Sequence, residues 1–274
     1  MGVTLPVRLR LPRPPLLLAL LLALLLTPAT GSSSLRQVDA ARAGLERSGA
    51  AAGASNGRDT VVLCTPAAEA PGGAGAEQGG LPRGVARIDD RAVAVGRGFL
   101  HDVTTVLDAL REAARDHRRL FGEPISAAEL AAAASLKMHR ATLTGSRPFA
   151  CELLIAAVER PDGGDGAPVV SLCHVGLDGL ASDVTAAAIG RQAAAHGKVL
   201  EEKLPREATE LSGVSEKRLS GVLEEAMAKQ GNGAEPPRLT RIVLRAKAAP
   251  GHVEVVGPEP APKPKPKPKP KPKP

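Results

Sequence analysis

Along this chain, apolar and polar positions fall into two kinds of block. Short apolar or alternating runs stand between turn residues, and longer stretches repeat apolar residues every three or four positions. Leu35 to Gly53 reads as a short amphipathic helix running into a strand of small residues. Thr60 to Cys64 is a β-branched apolar run, and the Asn56-Gly57 turn signal before it predicts a hairpin with Gly49 to Ala54. Pro66 to Gly84 is rich in Ala, Gly and Pro without periodicity and reads as an irregular, weakly ordered loop. Val85 to Ile88 and Ala92 to Gly96 alternate about Asp89-Asp90 and form the next two strands.

Between His101 and Leu120, Val103, Val106, Leu107, Leu110 and Ala114 fall at helical spacing with charged residues opposite, predicting one long amphipathic helix closed by Gly122. Ser126 opens a second helix through a capping box with Glu129, Pro124 blocks its extension upstream, and it runs to about Arg140. Phe149 to Val158 and Val169 to Cys173 are strands joined by a PDGGDG turn cluster. Ala186 to Leu204 and Arg206 to Gln230 read as two further helices, the second weakened at Gly213 and Gly221. Leu239 to Ala246 and His252 to Val256 make a last hairpin around Pro250-Gly251. Strands, two helices, strands, two helices, strands: this order predicts an α+β layered domain.

Composition changes this picture at the two ends. The chain has 274 residues and a net charge of +7, but the six lysines between Lys263 and Lys273 carry nearly all of it, leaving the body close to neutral. That Lys-Pro run is proline-blocked from any sheet ladder and is expected to be extended and solvated; we read it as a solubilising tail rather than one that binds acidic partners or membranes. With no Trp or Tyr and three Phe, stacking platforms are missing and nucleic-acid binding is set aside. At the other end, Arg8, Arg10 and Arg13 precede eleven Leu or Ala residues from Leu16 to Leu26, then Thr27-Pro28-Ala29. The pattern is that of a secretory signal peptide, and the apolar run is too short to span a bilayer.

Candidate chemistry is sparse. Cys64, Cys151 and Cys173 each fall in a predicted strand, lack metal-type spacing and read as buried thiols. His101, His117, His139, His174, His196 and His252 are scattered without an i,i+4 pair, which argues against a metal site, and His117 is expected to face solvent. Asp89-Asp90 reads as a tight turn whose side chains point apart, Glu201-Glu202 as a solvated helix face. Val95-Gly96-Arg97-Gly98 lacks the Lys-Ser/Thr of a phosphate loop. No cofactor is expected.

The block from Leu35 to Gly53 resembles the opening of α-type proteasome subunits, through Gln37, Val38, Ala41, Ala43 and Gly53, with Asp39 and Arg47 as close substitutes. Further blocks follow in the family's order: Ile88-Asp89-Asp90 and Gly98, Gly122-Glu123-Pro124-Ile125, Ser135-Leu136-Lys137, Gly145-Ser146-Arg147-Pro148-Phe149, and Ala188-Ile189-Gly190-Arg191. The resemblance implies the four-layer αββα sandwich of N-terminal nucleophile hydrolases over residues 32–257, between a leader (1–31) and a disordered tail (258–274). It puts Gly49 where catalytic relatives carry their N-terminal threonine, and Thr65-Pro66 near the position of the assisting aspartate. Ser48 lies beside it, but no lysine occurs between Ala50 and Leu100. The implied protein is a non-catalytic structural subunit of the 20S core. It would sit in a seven-membered ring with other alpha subunits, against the beta ring, and serve ubiquitin-dependent degradation in cytoplasm and nucleus. Leu35, Gln37, Val38, Ala41 and Leu45 would lie at the ring interface. An activator lysine that receives the tails of regulatory ATPases falls at Gly84, with Arg83 and Arg87 as imperfect substitutes. Ser135-Leu136-Lys137 with a Lys-rich tail resembles alpha type-7. The entrance-closing Tyr-Asp-Arg sequence is replaced by the leucine-rich leader, and aromatic core residues have become small ones. The leader supports a different expectation, an exported or ER-routed protein of this fold.

Overall fold

The computed structural model describes residues 31–66, 81–144, 147–160, 167–205, 208–228, 239–246 and 252–256. The leader, most of the loop after Pro66, the PDGGDG turn, Gly145-Ser146, Pro250-Gly251 and the Lys-Pro tail lie outside these residues. The chain divides into two units, Met1–Asp39 and Ala40–Pro274. Helix α1 (Gly31–Glu46) runs across that boundary. Among the described residues, the second unit carries all the other elements.

Two five-stranded antiparallel sheets form its centre. Their strands are β1 (Ala50–Ser55), β2 (Thr60–Pro66), β3 (Val85–Asp89), β4 (Ala92–Gly98), β5 (Cys151–Glu159), β6 (Val169–Val175), β7 (Ala181–Asp183), β8 (Ala186–Gly190), β9 (Leu239–Arg245) and β10 (His252–Val256). One sheet has the order β10-β9-β2-β1-β8, the other β3-β4-β5-β6-β7. The central strands are apolar on both faces because both faces are covered. On β5, Cys151, Leu153, Ile155 and Ala157 pack outward with the helices α2 (Leu100–Phe121) and α3 (Ala127–Leu143). Leu154, Ala156 and Val158 point the other way, to Val61, Leu63, Ile242 and Leu244 of the facing sheet. The period of two therefore deals successive residues to different cores. On the far side, Ala50, Ala52, Val62 and Val243 meet Val199, Leu200, Leu219, Leu223 and Met227 of helices α4 (Ala193–Lys203) and α6 (Glu216–Ala228). Three stacked apolar layers between helix, sheet, sheet and helix make this the expected four-layer αββα sandwich.

All five apolar positions read for the long helix, from Val103 to Ala114, are buried. Gly122 closes it in a left-handed conformation, and Ser126 and Glu129 make the capping box in both directions. The structure differs from the sequence reading at Ala186: residues 186–190 are a strand, and the helix begins at Ala193. Alanine is the best intrinsic helix former, but propensity is a weak preference that tertiary pairing overrides, and pairing from Ala50↔Gly190 to Ala54↔Ala186 satisfies the open edge of β1. Gly190 (φ 82) and Gln192 (φ 54) then turn the chain into α4. Of the stretch read as one helix from Arg206 to Gln230, residues 206–207 and 229–230 lie outside the described residues, and the rest is two pieces, α5 (Ala208–Leu211) and α6, separated at Gly213; Gly221 sits within α6 without breaking it. Among the described residues no helix is long and apolar enough to cross a membrane.

Candidate functional site

The place to look for chemistry is the end of the inter-sheet layer where the chain leaves α1 and enters β1. Ser48 closes the helix: its backbone N–H donates to the Leu45 carbonyl at 3.0 Å and its hydroxyl to the same oxygen at 2.7 Å. Gly49 follows, exposed, and β1 begins at Ala50. The neighbour of Gly49 is Arg97, whose Nε would lie 3.8 Å from a Cβ built there. Val93 and Val95 point between the sheets, so the pleat brings Arg97 in on the same face. Its Nε donates to the Ala50 carbonyl at 3.1 Å, and its Nη1 to those of Arg83 at 2.8 Å and Gly96 at 3.3 Å. Burial lowers its pKa to about 10.

Glu152 stands opposite Arg97 on β5, yet its carboxylate accepts from the Gly190 N–H at 3.2 Å. Burial raises its pKa, with smaller contributions from Glu46 and Asp178 in the same direction. Glu46, the last residue of α1, accepts from the Gln192 N–H at 3.3 Å. His174 has a buried Nε2 without a hydrogen-bond partner, and burial lowers its pKa against a raising contribution from Asp178. The Thr65 hydroxyl is also buried and unpartnered. These groups do not add up to a nucleophile with its base. The Ser48 proton is directed into the end of α1, and Thr65 is enclosed. A Ser–His contact occurs elsewhere, Ser135 Oγ to His139 Nδ1 at 3.3 Å along the outer helix α3. The three thiols are buried; burial pushes those of Cys64 and Cys151 up to about 12. The Cys173 thiol, which donates to Asp183, is raised as well, again chiefly by burial.

The predicted interface residues separate along α1. Gln37 and Val38 are exposed, whereas Ala41 and Leu45 are buried within the chain; the side chain of Leu35 lies outside the described residues. Arg83 is exposed, and Gly84 is buried with φ 74. Arg87 is exposed and pairs with Asp90 at 3.4 Å. Asp89 and Asp90 do form a tight turn, but they do not point apart: both face Arg118, at 2.5 Å and 3.7 Å. His117 is not solvent-facing either. Its side chain is 13% exposed, its ring tilted 43° against that of Phe121 at 4.7 Å and its Nε2 3.5 Å from Glu129. The turn between α2 and α3 folds the capping box back over it. Among the described residues no group of three His, Cys, Asp or Glu side chains stands together as a metal site.

Sequence reasoning passed over Asp102. It is buried at the start of α2 and accepts from Arg147 Nη1 at 2.7 Å, Arg147 Nη2 at 2.6 Å and the Ala150 N–H at 2.9 Å. A charged residue on the apolar face of the helix pattern, one position before Val103, was the available signal.

A family model described as Proteasome subunit matches residues 47–232, well over half of the chain. The chain belongs to the proteasome subunit family. The match begins at Arg47, just before β1, and runs past the end of α6, so it takes in both helix pairs and eight of the ten strands. Proteasome subunit alpha of Pyrobaculum aerophilum is 38% identical over 74 residues, which are 27% of this chain and 30% of that relative. The chain therefore spans less than a third of the curated relative it matches. The α-type resemblance read from the sequence agrees with both matches.

Proposed function

We propose that this proteasome family member is an α-type, non-catalytic subunit of a 20S core. It would build the ring and substrate entrance of a threonine-type endopeptidase complex that serves ubiquitin-dependent degradation in cytoplasm and nucleus. The observation that carries the reading is the end of the sandwich at Gly49. By the sequence resemblance Gly49 would fall where catalytic relatives carry their attacking hydroxyl; it has no side chain, and Arg97 Nε would lie 3.8 Å from a Cβ there. A subunit without a nucleophile contributes by holding its neighbours. Exposed Gln37 and Val38 would face an adjoining alpha subunit in a seven-membered ring, while Ala41 and Leu45 fix the base of α1 on its own domain. Other α-type chains and β-ring subunits are the partners. Regulatory ATPases would dock at the corner of Arg83, Gly84 and Arg87. The SLK segment and Lys-rich tail favour an alpha type-7-like slot.

Gel filtration of endogenous protein under native conditions, with peptide identification of co-migrating chains, tests this. The expected result is migration at the mass of a 20S particle among other proteasome subunits; a lone chain would refute it. Purified protein should not cleave fluorogenic peptides, and turnover abolished by Ser48→Ala would overturn the non-catalytic reading. The leader favours a second reading, an exported or ER-routed protein of the same fold. A mature N terminus at Ser32, found by mass spectrometry, would support export and count against the ring.

A further inference from the structure

The chain has two asparagines, Asn56 and Asn232, and each stands before a glycine. Asn-Gly is the pair most prone to deamidate, because glycine puts no side chain in the way of its own backbone nitrogen. That nitrogen attacks the asparagine Cγ, Nδ2 leaves as ammonia carrying the amide proton, and water then opens the cyclic imide to an isoaspartyl or aspartyl residue. Asn232-Gly233 lies outside the described residues. Asn56-Gly57 lies in the turn between β1 and β2, and there the groups that would react are all engaged. We propose that Asn56-Gly57 is a latent site of spontaneous deamidation, kept shut by the folded hairpin, which irreversibly marks chains whose β1–β2 turn has stayed open.

The Asn56 side chain closes the turn. Its Oδ1 accepts from the backbone N–H groups of Arg58 at 3.0 Å, Asp59 at 3.0 Å and Thr60 at 2.9 Å, and its Nδ2 donates to Asp59 Oδ1 at 2.8 Å. The attacking nitrogen is engaged as well: the Gly57 N–H donates to Ser55 Oγ at 2.9 Å. Bringing Cγ onto that nitrogen means rotating the amide out of these bonds and leaving the N–H groups of Arg58, Asp59 and Thr60 without their acceptor. The amide is enclosed, Asn56 being 4% exposed, while Gly57 is open: a Cβ there would meet nothing within 4 Å. Protection therefore rests on the asparagine side of the pair. Once modified, the turn does not regain its former shape. An isoaspartyl linkage adds a methylene to the main chain and breaks the register in which the Asn56 N–H meets the Thr60 carbonyl at 3.0 Å. An aspartate puts a carboxylate oxygen where Nδ2 stood, facing the Asp59 carboxylate. The change would reach β9, because the Asp59 carbonyl accepts the Ala246 N–H at 2.8 Å.

The test follows the full-length chain at pH 8, native and in guanidinium chloride. Samples withdrawn over time are cut with pepsin in acid, and both Asn-Gly peptides are followed by mass, with isoaspartate assigned through labelling by an isoaspartyl methyltransferase. In denaturant Asn56 and Asn232 should convert at similar rates. In the native chain Asn56 should convert at least about ten-fold more slowly than in denaturant, since several of its bonds must open together. Asp59→Ala frees Nδ2 and should raise the native rate about two- to ten-fold while leaving the rate in denaturant unchanged. Ser55→Ala, which frees the Gly57 N–H, is the companion variant in case Asp59→Ala loses its fold by circular dichroism, and it should act in the same direction. In an Asn232→Gln background, chains held in denaturant until Asn56 has converted and then returned to buffer should have a lower thermal midpoint than chains opened briefly. Equal rates at Asn56 in native and denatured protein would overturn the proposal, as would a native rate that neither variant raises. So would a faster native rate, which would mean that the three N–H groups on Oδ1 act as an oxyanion hole for ring closure. A converted chain that regains the parent midpoint would overturn the claim that the mark is irreversible in its effect.

Discussion

Replacing Asp102 by Ala should lower stability by about 3 kcal/mol. The figure follows from what the carboxylate holds. The Ala150 N–H, buried beside it, would lose its acceptor, a loss of about 1–3 kcal/mol. The two bonds from Arg147 are charge-assisted, but that side chain is 52% exposed and would rehydrate, so they contribute only about 0.5–1 kcal/mol. An acidic group in the first turn of α2 adds about 0.3–1 kcal/mol through the helix dipole. Urea unfolding followed by circular dichroism should show a reduced midpoint with an unchanged slope, and the thermal midpoint should fall by roughly 6–12 °C. Arg147→Ala should also destabilise, since it strips the counter-ion from a carboxylate that is only 2% exposed. The double variant should then be more stable than the sum of the single losses predicts, by about 1–3 kcal/mol. Additive losses, or an Asp102→Ala variant within 0.5 kcal/mol of the parent on the scale of an ordinary surface change, would refute the claim that this clamp fastens α2 to the start of β5.

Three further outcomes are expected. Glu152 has a folded-state pKa above its ordinary 4.5, so ionising it opposes folding; its favourable contribution is complete below the unfolded value and is lost as pH rises through the folded one. Glu152→Gln should therefore be more stable than the parent at pH 8 and flatten the fall in stability above pH ~4.5, as read from thermal midpoints across a pH series; a less stable variant at pH 8 would contradict this. With Cys64 and Cys151 raised to about 12 and all three thiols buried, native protein at pH 8 should resist iodoacetamide, and denaturant should expose three sites, counted by mass. Gly53→Val should cost about 1–3 kcal/mol, because even a Cβ there would come 2.5 Å from Leu63 Cδ2 and 3.3 Å from Leu154 Cδ1; an unchanged midpoint in urea would show that the inter-sheet layer can yield at this point.

Where the sequence pattern has one dominant cause, the fold was legible in it. The long helix could be read because Val103, Val106, Leu107, Leu110 and Ala114 have a single apolar face to bury, and the capping box because Ser126 and Glu129 satisfy each other locally. The failures lie where tertiary pairing decides. Residues 186–190 are three alanines, an isoleucine and a glycine, a short apolar run that periodicity cannot assign to helix or buried strand, and only the open edge of β1 selects the strand. β7 is three residues long with every one exposed, so it leaves no periodic trace at all.

The site was less legible for a related reason. Arg97 belongs to the run AVAVGRG, read as a strand followed by a weak glycine signal, yet the same alternation that sends Val93 and Val95 between the sheets sends the next odd residue there too. Glu152 obeys the rule from the facing strand, two residues before inward-pointing Leu154. Two opposite charges enter the apolar layer directly across one ladder pair, Arg97↔Glu152, and neither bonds the other. Each instead holds the backbone of a different strand: Arg97 the start of β1, Glu152 the end of β8. Those strand ends are themselves paired, at Ala50↔Gly190, so the two side chains secure both sides of the step from α1 into β1 at Gly49. Two long side chains of one sheet thus fix paired strand ends of the other. Arg97→Met and Glu152→Met, made together, should loosen this corner selectively. Amide exchange at Ala50, Ala51 and Gly190 should quicken, while exchange in the α2–α3 layer stays at the parent rate. Equal quickening in both places would mean that the corner has no local role.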